Sequence, residues 1–145
     1  MERQTMILRL TEEQMRLISE ETEERRPIEA CGLLFGQIKD EEAVVKKIVI
    51  TRNTLDSSLF FQVDPEEFVK ALFKAEAEGL QLIGFFHSHP AAPNPSLADV
   101  RYMRFWPENV WLIISSIDYS VQAYRIIDAE IQKVQVEIKK CSSKS

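Results

Sequence analysis

The chain has 145 residues, 45% of them hydrophobic and 28% charged, which suits one compact domain able to bury roughly two-thirds of its unfolded surface without disulfide or metal staples. Eighteen basic against 23 acidic residues leave a net charge of −5 with no Lys/Arg stripe, so nucleic acid is not an expected partner. No apolar run approaches the roughly 18 residues that cross a bilayer, the N-terminal Met1-Glu2-Arg3-Gln4 opens no apolar segment, and two cysteines, Cys31 and Cys141, suit a reducing compartment, so a cytoplasmic protein without membrane association is expected.

In chain order, Met6 to Leu10 reads as a strand. Thr11 then offers a helix N-cap with Gln14 at the capping-box position, and the helix fades near Arg25-Arg26 before Pro27. The apolar run from Ile28 to Ile38 and the Val/Ile-rich run from Glu42 to Thr51 form a predicted hairpin around Lys39-Asp40-Glu41. Residues 52–58 are loop-like, and Leu59 to Val63 is a predicted short strand. Asp64-Pro65-Glu66-Glu67 supplies an N-cap, a proline at the first helical position and a capping-box glutamate for a second helix, which Gly79 stops. Leu80 to His87 is a predicted buried strand. Ser96 caps a third helix running to about Arg104, and strands follow near 110–117, 121–127 and 131–138. The expectation is a single α/β (α+β) domain, residues 1–138, in which about three helices flank a mixed β-sheet, with residues 139–145 a disordered tail.

The two histidines, His87 and His89, stand two apart at the end of a predicted strand, where i and i+2 side chains share a face; both imidazoles can therefore meet one ion while Ser88 points away. Two neutral imidazoles suit zinc, and a catalytic zinc needs a third protein ligand and a position for water. Asp99, three residues after the cap Ser96, places a carboxylate at the same helix end as the serine hydroxyl, which can donate to an oxyanion. Peptide hydrolysis also needs a proton carrier, and Glu29 is the candidate because it sits between Ile28 and Ala30, where a charge is unfavourable without a task or a partner.

The run Glu29-Ala30-Cys31-Gly32-Leu33-Leu34-Phe35-Gly36, with His87-Ser88-His89-Pro90 and Pro95-Ser96-Leu97-Ala98-Asp99 downstream, resembles the JAMM/MPN+ signature of an upstream glutamate, His-x-His-Pro and Ser-x-x-Asp. The resemblance covers about residues 5–130. It implies zinc held by His87, His89 and Asp99, Glu29 as general acid/base, Ser96 as oxyanion donor, and a fold similar to cytidine deaminases. It further implies a zinc metallopeptidase of minimal prokaryotic type that cuts the amide or isopeptide bond after a ubiquitin-like or sulfur-carrier (β-grasp) protein, with Phe60 and Phe61 as substrate contacts. The six residues from Pro90 to Pro95 make this loop one shorter than the family pattern. A proline-rich surface loop absorbs such a change, and the ligands are expected still to converge.

Two other readings accompany this one. A non-catalytic MPN scaffold would bind partners without turnover, although such relatives lack the metal ligands that this chain keeps. A closed structural zinc site would use Cys31, which shares a strand face with Glu29. Phe85, Phe86, Trp106 and Trp111 are expected in the core.

Overall fold

A computed structural model describes residues 5–55 and 62–140. Its elements run β1 (Ile7–Thr11), α1 (Glu12–Arg25), β2 (Cys31–Lys39), β3 (Glu42–Thr51), α2 (Pro65–Ala77), β4 (Gln81–His89), α3 (Leu97–Phe105), β5 (Val110–Ser115), β6 (Val121–Ile127) and β7 (Glu130–Lys139). The expected three helices and mixed sheet are present. The predicted strand at 59–63 falls mostly outside the described residues, and Val63 makes only an isolated bridge to Asn53. None of the described helices is long and apolar enough to cross a membrane.

The helix starts follow from side-chain capping. Thr11 accepts from the Gln14 amide while Gln14 accepts from the Thr11 amide, and Ser96 and Asp99 make the same reciprocal pair. Asp64 accepts from the amides of Glu66 and Glu67, with Pro65 at the first helical position. Glu67 does not complete the expected box and instead accepts from the Arg52 amide at 3.2 Å. Helix α2 stops before Gly79, whose φ of +78° is the left-handed conformation that glycine adopts without strain.

The strand order is β1-β3-β2-β4-β5-β6-β7, and the sheet closes because β1 runs parallel to both β3 and β7. The sheet is thus a closed one, yet it still separates two apolar layers. One, containing Leu8, Leu10, Leu34, Phe86, Leu112 and Ile114, is completed by Ile18 of α1. The other, containing Leu33, Phe35, Phe85, Trp111 and Ile113, is covered by Ala75 of α2 and Met103 of α3. Strand β1 reaches only Glu42–Val44 of β3, so among the described residues the rest of β3 has a paired strand, β2, on one side only.

Strand β4 is the central element, antiparallel to β2 and parallel to β5. A Cβ on Gly84 would lie 1.8 Å from the Val110 carbonyl oxygen and 2.6 Å from its amide nitrogen, so β4 and β5 approach here as only glycine permits. Gly84→Ala should therefore lower stability by about 1–3 kcal/mol or more in denaturant unfolding, and an unchanged midpoint would contradict this packing.

Candidate active site

The register of β2 on β4 brings the site together. Cys31 lies opposite His87, so two residues further out Glu29 falls opposite His89. The pairing continues past the end of β2: Ser88 donates its amide to the Ala30 carbonyl at 3.0 Å, and the Ser88 hydroxyl accepts from the Ala30 amide at 2.8 Å. Phe85, His87 and His89 project toward α2 and α3, and Phe86 and Ser88 project to the opposite layer. Strand β4 runs two residues beyond the predicted end because Ser88 and His89 pair with Ile114 and Ser115 of β5; the His89 carbonyl also accepts from the Ser116 amide at 2.7 Å.

Helix α3 delivers the third group. Asp99 Oδ2 lies 3.2 Å from His87 Nε2 and 2.9 Å from His89 Nε2, and the two Nε2 atoms are 3.2 Å apart. The same oxygen accepts from the Ser96 amide at 2.9 Å, so the helix cap aims the carboxylate. Burial alone would raise the Asp99 carboxyl, but hydrogen bonds from His87 and His89 outweigh it and hold the group well below the usual carboxylate range. Burial pushes His87 toward its neutral form, against the opposing pull of Asp99. The loop from Pro90 to Pro95, short as it is, lets His89 and Asp99 meet, and Tyr124 steadies it from β6 through a 3.3 Å contact to Asn94 Oδ1.

Glu29 stands beside this trio, 3% exposed, and neither of its carboxylate oxygens has a hydrogen-bond partner among the described residues. Burial, with the Asp99 charge adding to it, pushes its carboxyl up to about 8. A carboxylate of Glu29 and the rings of His87 and His89 form a second set that could hold a cation, their atoms within 4.8 Å of one another. The trio with Asp99 is tighter, its atoms lying 2.9–3.2 Å apart.

Ser96 lies at the same end of α3. Its hydroxyl accepts from the Asp99 amide at 3.1 Å, which uses a lone pair and leaves the hydroxyl proton able to donate. Cap and donor are thus compatible roles. Cys31 lies opposite His87 on the same face, but its thiol contacts the Thr51 hydroxyl at 3.4 Å and does not join the cation-binding set of Glu29, His87 and His89, and burial pushes it up to about 11, so the closed-site reading gains no geometric support. Phe60 and Phe61 lie outside the described residues. Phe85, Phe86 and Trp111 are buried as expected, whereas Trp106 is 37% exposed. With Phe68, Phe85, Tyr102 and Trp111 it lines an apolar cavity of about 190 Å³. The Trp111 ring meets the His87 ring edge-on with centroids 6.2 Å apart, so this cavity adjoins the trio.

Two residues escaped the sequence reading. Ser88 was placed on the far face, and its role in tying Ala30 to β4, and hence in setting Glu29, is invisible without the pairing. Asn53 sits in the stretch read as loop; it is 3% exposed, donates to the Glu29 carbonyl at 3.2 Å and accepts from the amides of Leu55 and Gln62 at 3.1 and 3.0 Å. An asparagine two residues after the end of a strand was the available signal.

Residues 11–127 match the family of prokaryotic homologs of the JAB domain. The chain therefore belongs to the JAB (JAMM/MPN) family in its minimal prokaryotic form. It is 46% identical over 89 residues to a desampylase of Pyrococcus furiosus, a match covering 61% of this chain and 60% of that protein. It is 33% identical over 113 residues to a desampylase of Haloferax volcanii, covering 77% and 79%. A probable TtuB-protein conjugate cleaving protease of Thermus thermophilus is 35% identical over 81 residues, covering 54% of this chain and 51% of that one. The solution structure of protein DSY2949 from Desulfitobacterium hafniense matches with a TM-score of 0.84 at 30% identity, covering 95% of this chain and 96% of that one.

Ser88→Ala leaves the buried Ala30 amide without its acceptor, so it should cost about 1–3 kcal/mol of stability while His87, His89 and Asp99 still bind metal. Chemical denaturation together with metal analysis checks this; loss of metal without loss of stability would contradict the role given to Ser88.

Proposed function

We propose that this protein is a zinc metallopeptidase that hydrolyses the amide or isopeptide bond following the C-terminus of a ubiquitin-like or sulfur-carrier protein. The observation that carries the reading is the meeting of His87 Nε2, His89 Nε2 and Asp99 Oδ2 at 2.9–3.2 Å, with Glu29 buried and unpartnered beside them. Ligand bonds of about 2.0–2.2 Å in a tetrahedron give ligand-to-ligand edges of roughly 3.3 Å, close to those separations. Three acceptors so near one another repel unless a cation or a proton lies between them, and two imidazoles with one ionised carboxylate form a donor set that zinc accepts. Three protein ligands leave a coordination position for water, as a catalytic site requires.

In this reading His87, His89 and Asp99 hold the ion. Zinc, when bound, supplies a Lewis acid and lowers the pKa of water. Glu29 takes a proton from the attacking water, the water oxygen adds to the scissile carbonyl, and the Ser96 hydroxyl donates to the oxyanion. Glu29 then returns the proton to the nitrogen, the C–N bond breaks, and an amine and a carboxylic acid leave. The hydrophobic surroundings of Glu29, which favour its protonated form, fit a group that must carry and release a proton. The aromatic cavity beside His87 supports a protein tail as substrate, since it offers a place for an apolar side chain near the bond to be cut.

The names of the relatives, two desampylases and a probable conjugate-cleaving protease, support the modifier-protein half of the proposal. A metal-free scaffold is disfavoured because every ligand and the carboxylate are present.

Purified protein supplied with zinc should hold about one ion per chain, and His87→Ala or Asp99→Ala should lose it. Glu29→Gln should keep the ion yet slow cleavage of a β-grasp protein fusion by about 10²–10⁴-fold, and Ser96→Ala by about 10²–10³-fold. Full turnover by Glu29→Gln, or no zinc retained by the wild type, would sink the proposal.

A further inference from the structure

Asn53 stands where two strands stop pairing. Cys31 of β2 lies opposite Thr51 of β3, so an unbroken antiparallel ladder would set Glu29 opposite Asn53. The main chain of Asn53 instead forms an antiparallel bridge with Val63. Its side chain takes over the lost pairing: Nδ2 donates to the Glu29 carbonyl at 3.2 Å. The side-chain oxygen turns the other way and accepts from the amides of Leu55 and Gln62 at 3.1 and 3.0 Å. One buried amide group thus reaches from the residue that carries the carboxyl beside the histidines to both ends of the connection between β3 and α2.

A buried asparagine at the neck of a loop is often no more than a polar group with its hydrogen bonds satisfied. Here the two things it holds belong to the site. Gln62 and Val63 wall the aromatic cavity that adjoins His87, and Thr54 fastens the same neck by donating its amide to the Gln62 carbonyl at 2.9 Å. Glu29 precedes the first residue of β2, so side chains stand in for the ladder around it: Asn53 on the Glu29 carbonyl, and Ser88 on the Ala30 amide. A shift of that peptide carries the Glu29 carboxyl with it. Only a side-chain amide offers a donor and an acceptor on one short planar group, so an asparagine can hold the Glu29 carbonyl and the two loop amides at once.

We infer that Asn53 is a positioning residue that sets Glu29 and the wall of the aromatic cavity from one side chain, its nitrogen serving the chemical step and its oxygen serving the fit of the substrate tail. This rests on the proposed function, which makes Glu29 the proton carrier and the cavity a place for the tail. Asn53 adds the link between them: the loop neck that shapes the cavity and the backbone that aims the carboxyl are joined by a single amide, so proton transfer and tail binding share one support. A misplacement of a reacting group by about 1 Å can cost about 10²-fold in rate.

The test compares the wild type, Asn53→Asp and Asn53→Ala, each supplied with zinc, by cleavage of a fusion to a β-grasp sulfur carrier ending in diglycine, by amide hydrogen exchange and by crystal structures. Asn53→Asp keeps the oxygen that accepts from Leu55 and Gln62 and turns a second oxygen on the Glu29 carbonyl. Its kcat should fall about tenfold to 10²-fold with KM at the wild-type value. Its Leu55 and Gln62 amides should stay as protected as in the wild type, and its Glu29 carboxyl should be displaced in the crystal. Asn53→Ala should lower kcat and raise KM together, with faster exchange at both amides. Each variant should hold one zinc, because these bonds use no atom of His87, His89 or Asp99. Changes of kcat and KM in the same proportion in both variants, as loosened packing alone would give, would overturn the role. So would an undisplaced Glu29 in Asn53→Asp, which is what the new charge acting alone would leave. Asn53→Asp decides by itself if Asn53→Ala does not fold. If the wild type cuts no fusion, the proposed activity fails, and the position of Glu29 in Asn53→Asp still decides for or against Asn53. If the variants cut as the wild type does, the role of Asn53 fails and the activity stands.

Discussion

The antiparallel register of β2 on β4 is the constraint on which the candidate site depends. With Cys31 opposite His87, the next outward pair on the same face is Glu29 and His89, so the Glu29 carboxyl and the two imidazoles are positioned by the pairing of neighbouring strands. Ser88 extends the pairing by one residue past the end of β2, and the close approach of β4 to β5 at Gly84 holds the other side. A slip of one residue would exchange the faces of β4, sending both imidazoles into the layer beneath α1 and Ser88 toward the site. A regular sheet thereby achieves placement that a loop would supply only at a larger entropic cost.

Helix α3 meets that sheet with an economical arrangement. One carboxylate oxygen of Asp99 caps the Ser96 amide and touches both ring nitrogens, while the Ser96 hydroxyl caps the Asp99 amide and retains its proton. Local helix chemistry thus fixes the rotamers of both side chains before any ligand arrives. The Glu29 carboxyl is the opposite case: it is buried at a cost that no hydrogen bond among the described residues offsets.

What could be read beforehand and what could not divide along sequence distance. The caps at Thr11, Asp64 and Ser96 are local, spanning three residues, and they stand where the residue types placed them. The pair His87 and His89 is also local, since strand parity alone puts both on one face. Closure of the sheet through β1 was not legible, because periodicity says which face a residue buries and nothing of which strand lies beside it. The end of β4 was placed two residues early because its last pairs are with β5, across intervening Pro90, Pro93 and Pro95. Ser88 and Asn53 were missed for the same reason: their partners, Ala30 and Glu29, are 58 and 24 residues away.

The central claim is that His87, His89 and Asp99 hold the ion and Glu29 stands beside it. Anomalous diffraction at the zinc edge from crystals of the zinc-supplied protein tests this most directly. The account predicts one peak about 2.0–2.2 Å from His87 Nε2, His89 Nε2 and an Asp99 oxygen, with no Glu29 oxygen at bonding distance. A peak bonded to Glu29 in place of Asp99, or one held by Cys31, would contradict it.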